Sequence, residues 1–245
     1  MSDLAPRVAI VTGGSGGIGR AVAKQLAADG MYVVVHYSSR SEQAGDAVAS
    51  IAAKGGTAFA VGGDVANEDD MRELFDEAER RFGGVDVVVH TAGIMKLSTL
   101  ADLDLTDFDQ IMRVNVRGTF VVDQQAVRRV RPGGAIINFS TSVVQRFVPT
   151  YATYAASKGA IDVITMILAK ELRGRDVTVN TVAPGPTATP LFLDDKDQAT
   201  IDTLAKGPAL ERLGEPQDIA NVVSFLAGPA RWINGQVIYA NGGLI

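Results

Sequence analysis

The stretch TYATYAASKGA, residues 150–160, holds two tyrosines and a lysine. Tyr154 and Lys158 are four residues apart, so on a helix they share one face, a turn apart. A free phenol ionises at about pH 10. A neighbouring ammonium favours the phenolate and lowers that value. The pair could then serve as a general acid or base. Tyr151 has no such partner, because Ala155 stands four residues on. Spacing alone is equally compatible with a half-buried tyrosine and a solvated lysine, so the rest of the chain must decide.

The segment VAIVTGGSGGIGRAVAKQLAADG, from Val8, reads as a strand, a glycine-rich turn and a helix. Gly14, Gly16 and Gly19 fit a G-x-G-x-x-G spacing, and Gly13, Gly17 and Gly19 fit T-G-x-x-x-G-x-G. Absent side chains let the backbone approach a pyrophosphate, and the helix N-terminus supplies N–H groups and positive potential. A dinucleotide is the implied ligand. The next strand ends in VVVHYSSRSEQ, with no acid at 36–41. An acid there would bond the ribose hydroxyls of NAD. Ser38, Ser39 and Arg40 instead suit a 2′-phosphate, so NADP(H) is expected over NAD(H). Glu42 is close enough to keep NAD(H) as the alternative.

At this point the chain resembles the short-chain dehydrogenase/reductase family over essentially its whole length. The carrying motifs occur in order: TGGSGGIG (12–19), Asp64–Val65, NVRG (115–118), YAASK (154–158), and Pro184–Gly185 followed by Thr189. The resemblance implies that Tyr154 exchanges a proton with a carbonyl or alcohol oxygen, and that Lys158 lowers its pKa and bonds the nicotinamide ribose. Asn115 would hold a water in a proton relay, and a serine would bond the substrate oxygen. The nicotinamide would carry the hydride, with no metal. It further implies cofactor contacts from Gly13, Ser15, Gly16, Gly17, Ile18 and Gly19, from Tyr37, Ser38, Ser39 and Arg40, and from Asp64 and Val65. Thr91, Ala92 and Gly93, Tyr154 and Lys158, and Pro184, Gly185, Thr187 and Thr189 complete that set.

Two places depart from the family pattern. In NFSTSVVQ, counting 13 residues back from Tyr154 gives Thr141, whereas the string TSVV resembles the family with Ser142 as the active hydroxyl. Ser142 is the expectation, with Ser140 and Thr141 as neighbours able to do the same bonding. HTAG (90–93) stands where the family has N-N-A-G, and His90 is expected to make a structural hydrogen bond. His36 reads as a strand-end residue near the cofactor. Leu191, Phe192, Leu193, Met95, Phe147, Val148 and Tyr151 are candidates for the substrate pocket wall.

The elements that must position these groups follow from alternation. Val- and Ile-rich runs at 8–11, 32–37, 57–61, 86–90, 135–139, 177–183 and 236–240 read as buried parallel strands. Helical patterns lie between them, at about 17–29, 41–54, 67–82, 107–131, 151–173 and 216–227. Asn67 is placed to cap the third helix, and Gly30 and Gly55 to stop the first and second. The expected fold is α/β: a Rossmann-type doubly wound parallel sheet of about seven strands with helices on both faces. Residues 1–245 are expected to form one domain. A proline- and glycine-rich substrate loop is expected at about 184–215, with one short helix by its pattern.

The composition excludes several classes. A net charge of −5 without a basic block argues against nucleic acid or an anionic membrane as partner. The absence of cysteine removes disulfides, thiolate catalysis and cysteine metal sites. No apolar run is long enough to span a membrane, and a cytoplasmic location is the expectation. The reading is an NADP(H)-dependent carbonyl reductase or alcohol dehydrogenase acting on a small molecule. Its look-alikes include 3-oxoacyl-[acyl-carrier-protein] reductases and glucose/ribitol-type dehydrogenases. An acyl-carrier partner would want a basic patch, for which Arg128, Arg129 and Arg131 are candidates; a helix C-terminus also attracts such charge. A non-catalytic dinucleotide sensor is the alternative of a different class. The resemblance implies a homotetramer or homodimer built through the helices at 107–131 and 151–173 and the C-terminal segment.

Overall fold

The computed structural model describes residues 6–194 and 196–245. Seven parallel strands form one sheet in the order β3-β2-β1-β4-β5-β6-β7. They are β1 Val8–Thr12, β2 Tyr32–Tyr37, β3 Ala58–Gly62, β4 Val85–His90, β5 Val130–Phe139, β6 Thr178–Pro184 and β7 Val237–Ala240. The helices are α1 Gly17–Ala28, α2 Ser41–Ala52, α3 Glu68–Phe82, α4 Leu105–Ile111, α5 Gly118–Arg129, α6 Val143–Arg146, α7 Ala152–Glu171, α8 Pro190–Leu193, α9 Gln198–Ala205 and α10 Pro216–Ala227.

The expected sheet and its flanking helices are present. β1, β4 and β6 are buried along their whole length, while the edge strands β3 and β7 are half exposed. Such strands need apolar side chains on both faces, which is why they read as unbroken Val and Ile runs. Register aligns the layers: Ile10 lies beside Val34 in β2 and Val88 in β4. One face packs Ala9, Val11, Val33, Val87 and Ile137 against α1, α2 and α10. The other packs Ile10, Val34, Val88 and Ile136 against α3, α5 and α7. Asn67 caps α3 as expected, its Oδ1 accepting from Asp69 N at 2.8 Å and Asp70 N at 3.2 Å. Gly30 and Gly55 end α1 and α2 at φ +88° and +80°. Among the described residues no helix is long and apolar enough to cross a membrane.

Three local expectations change. The helix placed at 107–131 is α4 and α5 joined by a π-helical stretch, Met112–Arg117, and residues 130–131 belong to β5 instead. β5 is therefore longer than the run 135–139. The 184–215 segment carries two short helices, α8 and α9, and α6 follows β5. Periodicity does not see this π-turn, because six residues are too few to tell its pitch from that of the α-helices on either side.

A buried acid, Asp123, sits between α5, α7 and the sheet. Asn138 Nδ2 donates to Asp123 Oδ2 at 2.9 Å and to Thr165 Oγ1 at 3.1 Å. Thr181 Oγ1 donates to Thr165 Oγ1 at 2.8 Å. Among the described residues, Asp123 Oδ1 and Asn138 Oδ1 are buried without partners. A proton on the acid gives this cluster the donor it lacks. Burial pushes Asp123 up to about 7, against the Asn138 hydrogen bond that lowers it. An unfolded aspartate titrates near 4, so from about pH 4 to 7 the folded state holds a proton the unfolded state has lost, and this group's contribution falls as pH rises. Urea denaturation should show Asp123→Asn losing less stability than the parent between roughly pH 5 and pH 8; parallel curves would contradict it.

Candidate active site

Parallel strands all end at one edge, and the chain reverses its winding between β1 and β4, the place where open α/β sheets take their ligands. The glycine turn follows β1. Gly13 takes φ +66°, and a Cβ there would stand 3.0 Å from Ala92 Cα. The turn is fastened to the end of β4. Thr91 Oγ1 donates to Thr12 O at 2.5 Å, Ala92 N donates to Thr12 Oγ1 at 3.3 Å, and Thr12 Oγ1 meets His90 Nδ1 at 2.8 Å. His90 thus makes the expected structural bond. It is wholly buried, and burial together with Lys158 and His36 holds its pKa down to about 3.

The N-terminus of α1 begins after Gly16 with no side-chain cap and no acid in its first turn. Its positive end and N–H groups are left for an anion. A Cβ on Gly16 would meet only Arg40 Nη1, at 3.4 Å, and one on Gly17 only Thr189, at 3.4 Å. Arg40 and Thr189 therefore lean over two successive glycines. Arg40 is exposed and has no ion pair among the described residues. Ser38 and Ser39 beside it are exposed, whereas Ser15 is buried. These residues fit a phosphorylated dinucleotide: a side-chain-free cradle, a helix N-terminus and an unpaired guanidinium. Ile18 and Tyr37 pack from the rim of the core onto the α1 side.

Asp64 and Val65 follow β3. Arg113 Nη2 donates to Asp64 Oδ2 at 2.6 Å and Ala66 N to Oδ1 at 2.9 Å. Burial would raise this carboxyl, but those bonds outweigh it and hold it below its usual value. Val65 lies against Gly118, where a Cβ would come within 2.9 Å of Val65 Cγ2. That contact explains the glycine of NVRG.

The catalytic candidates meet over β5. Lys158 is buried, and its Nζ donates to Phe139 O at 2.8 Å, tying α7 to the strand end. Tyr154 lies one turn earlier on α7. Tyr151 stands edge-on to it, with ring centroids 6.4 Å apart. Burial pushes Lys158 down to about 8, with Asp162 opposing, and pushes Tyr154 up to about 12, with Tyr151 adding. The expected lowering of Tyr154 by Lys158 is therefore not found. The ammonium is engaged by the Phe139 carbonyl, and desolvation of the phenolate dominates.

Asn115 sits in the π-helical stretch, fully buried. Its Oδ1 accepts from Ile94 N at 2.9 Å, and its Nδ2 donates to Ile94 O at 2.9 Å and Ser157 Oγ at 3.0 Å. A Cβ on Gly93 would stand 3.2 Å from Asn115 Oδ1 and 3.4 Å from Lys158 Nζ. The bare face of Gly93 thus fronts both groups.

The three hydroxyls after β5 diverge. Ser140 Oγ donates to Lys158 O at 3.3 Å, and Thr141 Oγ1 accepts from Val143 N at 3.3 Å. Ser142 Oγ donates to Ala183 O at 3.3 Å and accepts from Asn241 Nδ2 at 3.2 Å, and Ser142 is 1% exposed. Asn241 also abuts Gly185, where a Cβ would fall 2.8 Å from its Cα. Pro184 closes β6, and Thr187 Oγ1 donates to Gly185 O at 2.9 Å. Asn241 escaped the sequence reading, since only the AN-G-G ending of the last strand marks it. At the rim, Phe147 is 83% exposed at φ +54° and Leu191 is half exposed. Met95, Val148 and Phe192 are half-buried, and Lys196 Nζ lies 4.7 Å from the Phe192 ring centroid.

A family model described as enoyl-(acyl carrier protein) reductase matches residues 13–245. A short-chain type dehydrogenase/reductase of Picea abies is 43% identical over 254 residues, covering 99% of this chain and 93% of that one. The chloroplastic NADPH-dependent aldehyde reductase 2 of Arabidopsis thaliana is 43% identical over 258 residues, covering 99% and 95%. The crystal structure of a short chain dehydrogenase from Burkholderia cenocepacia in complex with NADP superposes with a TM-score of 0.91 at 39% identity, covering 97% of each chain. The chain is an oxidoreductase that belongs to the short-chain dehydrogenase/reductase family.

Proposed function

We propose that this chain is an NADP(H)-dependent carbonyl reductase, working as one domain on a small ketone or aldehyde. The observation that carries the reading is Tyr154 one turn from buried Lys158, at the strand edge that also bears the bare glycine cradle. A bound nicotinamide supplies the hydride. Tyr154 gives its proton to the carbonyl oxygen on reduction and takes one back on oxidation. Its pKa, pushed up to about 12, keeps it protonated near neutrality and sets it as the donor. Lys158, at about 8, is charged below that pH and stabilises the phenolate left behind. Asn115 fixes the 94–95 backbone beside this pair and faces Lys158 across Gly93.

The hydroxyl that steadies the substrate oxygen was expected at Ser142. That proton is directed to Ala183 O, and a lone pair is taken by Asn241. Thr141 accepts one backbone bond and keeps its proton to give. The role is therefore assigned to Thr141, with Ser142 holding the loop. NADP(H) is favoured by Arg40, Ser38 and Ser39, and by the NADP and NADPH named for the Burkholderia and Arabidopsis relatives.

A small substrate is favoured over an acyl-carrier protein by the state of the basic cluster. Arg129 pairs with Asp76 and Glu79, and Arg131 with Asp86. Phe120 on α5 and Val163, Met166 and Ile167 on α7 are exposed, as is Trp232 near the C-terminus. These surfaces suit assembly as a homodimer or homotetramer.

Loss of NADPH absorbance with a panel of ketones tests the activity. Tight NADPH binding without turnover on any would favour a dinucleotide sensor. Tyr154→Phe should lower kcat by roughly 10²–10⁴-fold and leave cofactor binding intact, while Tyr151→Phe should mainly alter substrate preference. Equal losses would contradict the assignment. Arg40→Ala should raise KM for NADPH by roughly tenfold or more, the loss of a charge-assisted bond, with KM for NADH little changed. Thr141→Val should cost more turnover than Ser142→Ala; the reverse order would return the role to Ser142.

A further inference from the structure

His36 is buried at the end of β2, 1% exposed. Its Nε2 lies 3.0 Å from Gly63 O, and Gly13 N donates to its Nδ1 at 3.4 Å. A carbonyl only accepts, so Nε2 carries the hydrogen; a backbone N–H only donates, so Nδ1 is bare. The two contacts select one neutral tautomer, because a proton on Nδ1 would confront the Gly13 N–H. Burial is the largest influence on the ring and lowers its pKa, to about 4. Asp64 and Asp70 face it from the β3–α3 side and oppose that shift only in part.

The two partners belong to separate parts of the cofactor cradle. Gly13 begins the turn placed for the pyrophosphate. Gly63 precedes Asp64 and Val65, placed for the adenine. The backbone already joins β2 to each: Gly14 N donates to His36 O at 2.9 Å, and Gly63 N to Tyr37 O at 2.9 Å. Among the described residues, no backbone bond joins Gly13 to Gly63 directly. The imidazole adds a side-chain tie that reaches both from one residue. Beyond Gly63 the chain of contacts continues, with Asp64 N donating to Asp70 Oδ2 at 2.7 Å.

We propose that His36 is a positioning residue for the dinucleotide: by clasping Gly13 N–H and Gly63 C=O it sets the separation of the pyrophosphate and adenine ends of the cradle before cofactor arrives. This rests on the cofactor reading above. The clasp acts on binding, not on the proton chemistry at Tyr154. Its removal leaves a half-buried donor and a half-buried acceptor unpaired in the two loops that must hold still.

The test uses the full chain, wild type, His36→Ala and His36→Gln, with NADPH titrated by fluorescence and kcat and KM measured alongside a thermal melt. A glutamine amide offers one acceptor and one donor and should restore the tie. His36→Ala should weaken NADPH binding roughly tenfold and raise its KM, with kcat at saturating NADPH nearly unchanged; His36→Gln should recover most of the affinity. An alanine variant that binds like wild type, a kcat loss at constant KM, or a glutamine variant as weak as alanine would each overturn the proposal. If His36→Ala does not fold, His36→Gln decides: binding near wild type supports the clasp, and a tenfold loss overturns it. A wild-type chain that does not bind NADPH at all would instead remove the cofactor reading, and this inference with it.

Discussion

The structure depends on all strands ending at one edge. A parallel sheet cannot reverse on a hairpin, so every strand returns through a helix and delivers its C-terminal residue to the same side. Thr12, Tyr37, Gly62, His90, Phe139, Pro184 and Ala240 are those residues. With the order reversing at β1, the paired ends of β1 and β4, Thr12 and His90, lie side by side at this edge and the loops leave from there. Each loop leaving it then has to be held by hydrogen bonds that do not belong to any helix or strand. Thr12 with His90 and Thr91, Phe139 with Lys158, and Asn115 with Ile94 are bonds of that kind. The site is the set of loop ends, and the polar side chains buried under it are its joints.

Burial then decides the charge states. Desolvation penalises whichever form is charged, so it moves a phenol and an ammonium in opposite directions. Tyr154 rises from 10.0 to about 12 and Lys158 falls from 10.5 to about 8, so the two move apart and burial favours the neutral form of each. The Phe139 carbonyl matters here. It gives buried Lys158 a hydrogen-bond partner that carries no full negative charge, so the ammonium is satisfied without being neutralised.

Much of this was legible in the residues. The strands were visible because two-sided burial demands unbroken Val and Ile runs, and the glycine turn because three positions admit no side chain. Gly13 and Gly118 each abut another part of the cradle where a Cβ would crowd. The Tyr154–Lys158 face followed from helical spacing. What the sequence hid was direction. Ser140, Thr141 and Ser142 are consecutive hydroxyls, and only the backbone path after β5 decides that one meets Lys158 O and another Ala183 O. Likewise the π-helical turn that seats Asn115 has no compositional mark, and Asn241 reaches Ser142 across 99 residues of chain. The sign of the Tyr154 shift also depends on burial, which a four-residue spacing cannot report.

His90 shows how the environment, more than the residue type, assigns a role. A histidine at the heart of an acid–base site invites a catalytic reading. Here its Nδ1 is occupied by Thr12, it is wholly buried, and Lys158 stands near enough to oppose a second positive charge. Each of these favours the neutral ring, and with its pKa down to about 3 the imidazole carries no second ring proton near neutrality. His90 therefore acts as a neutral hydrogen-bonding spacer that joins the end of β4 to Thr12.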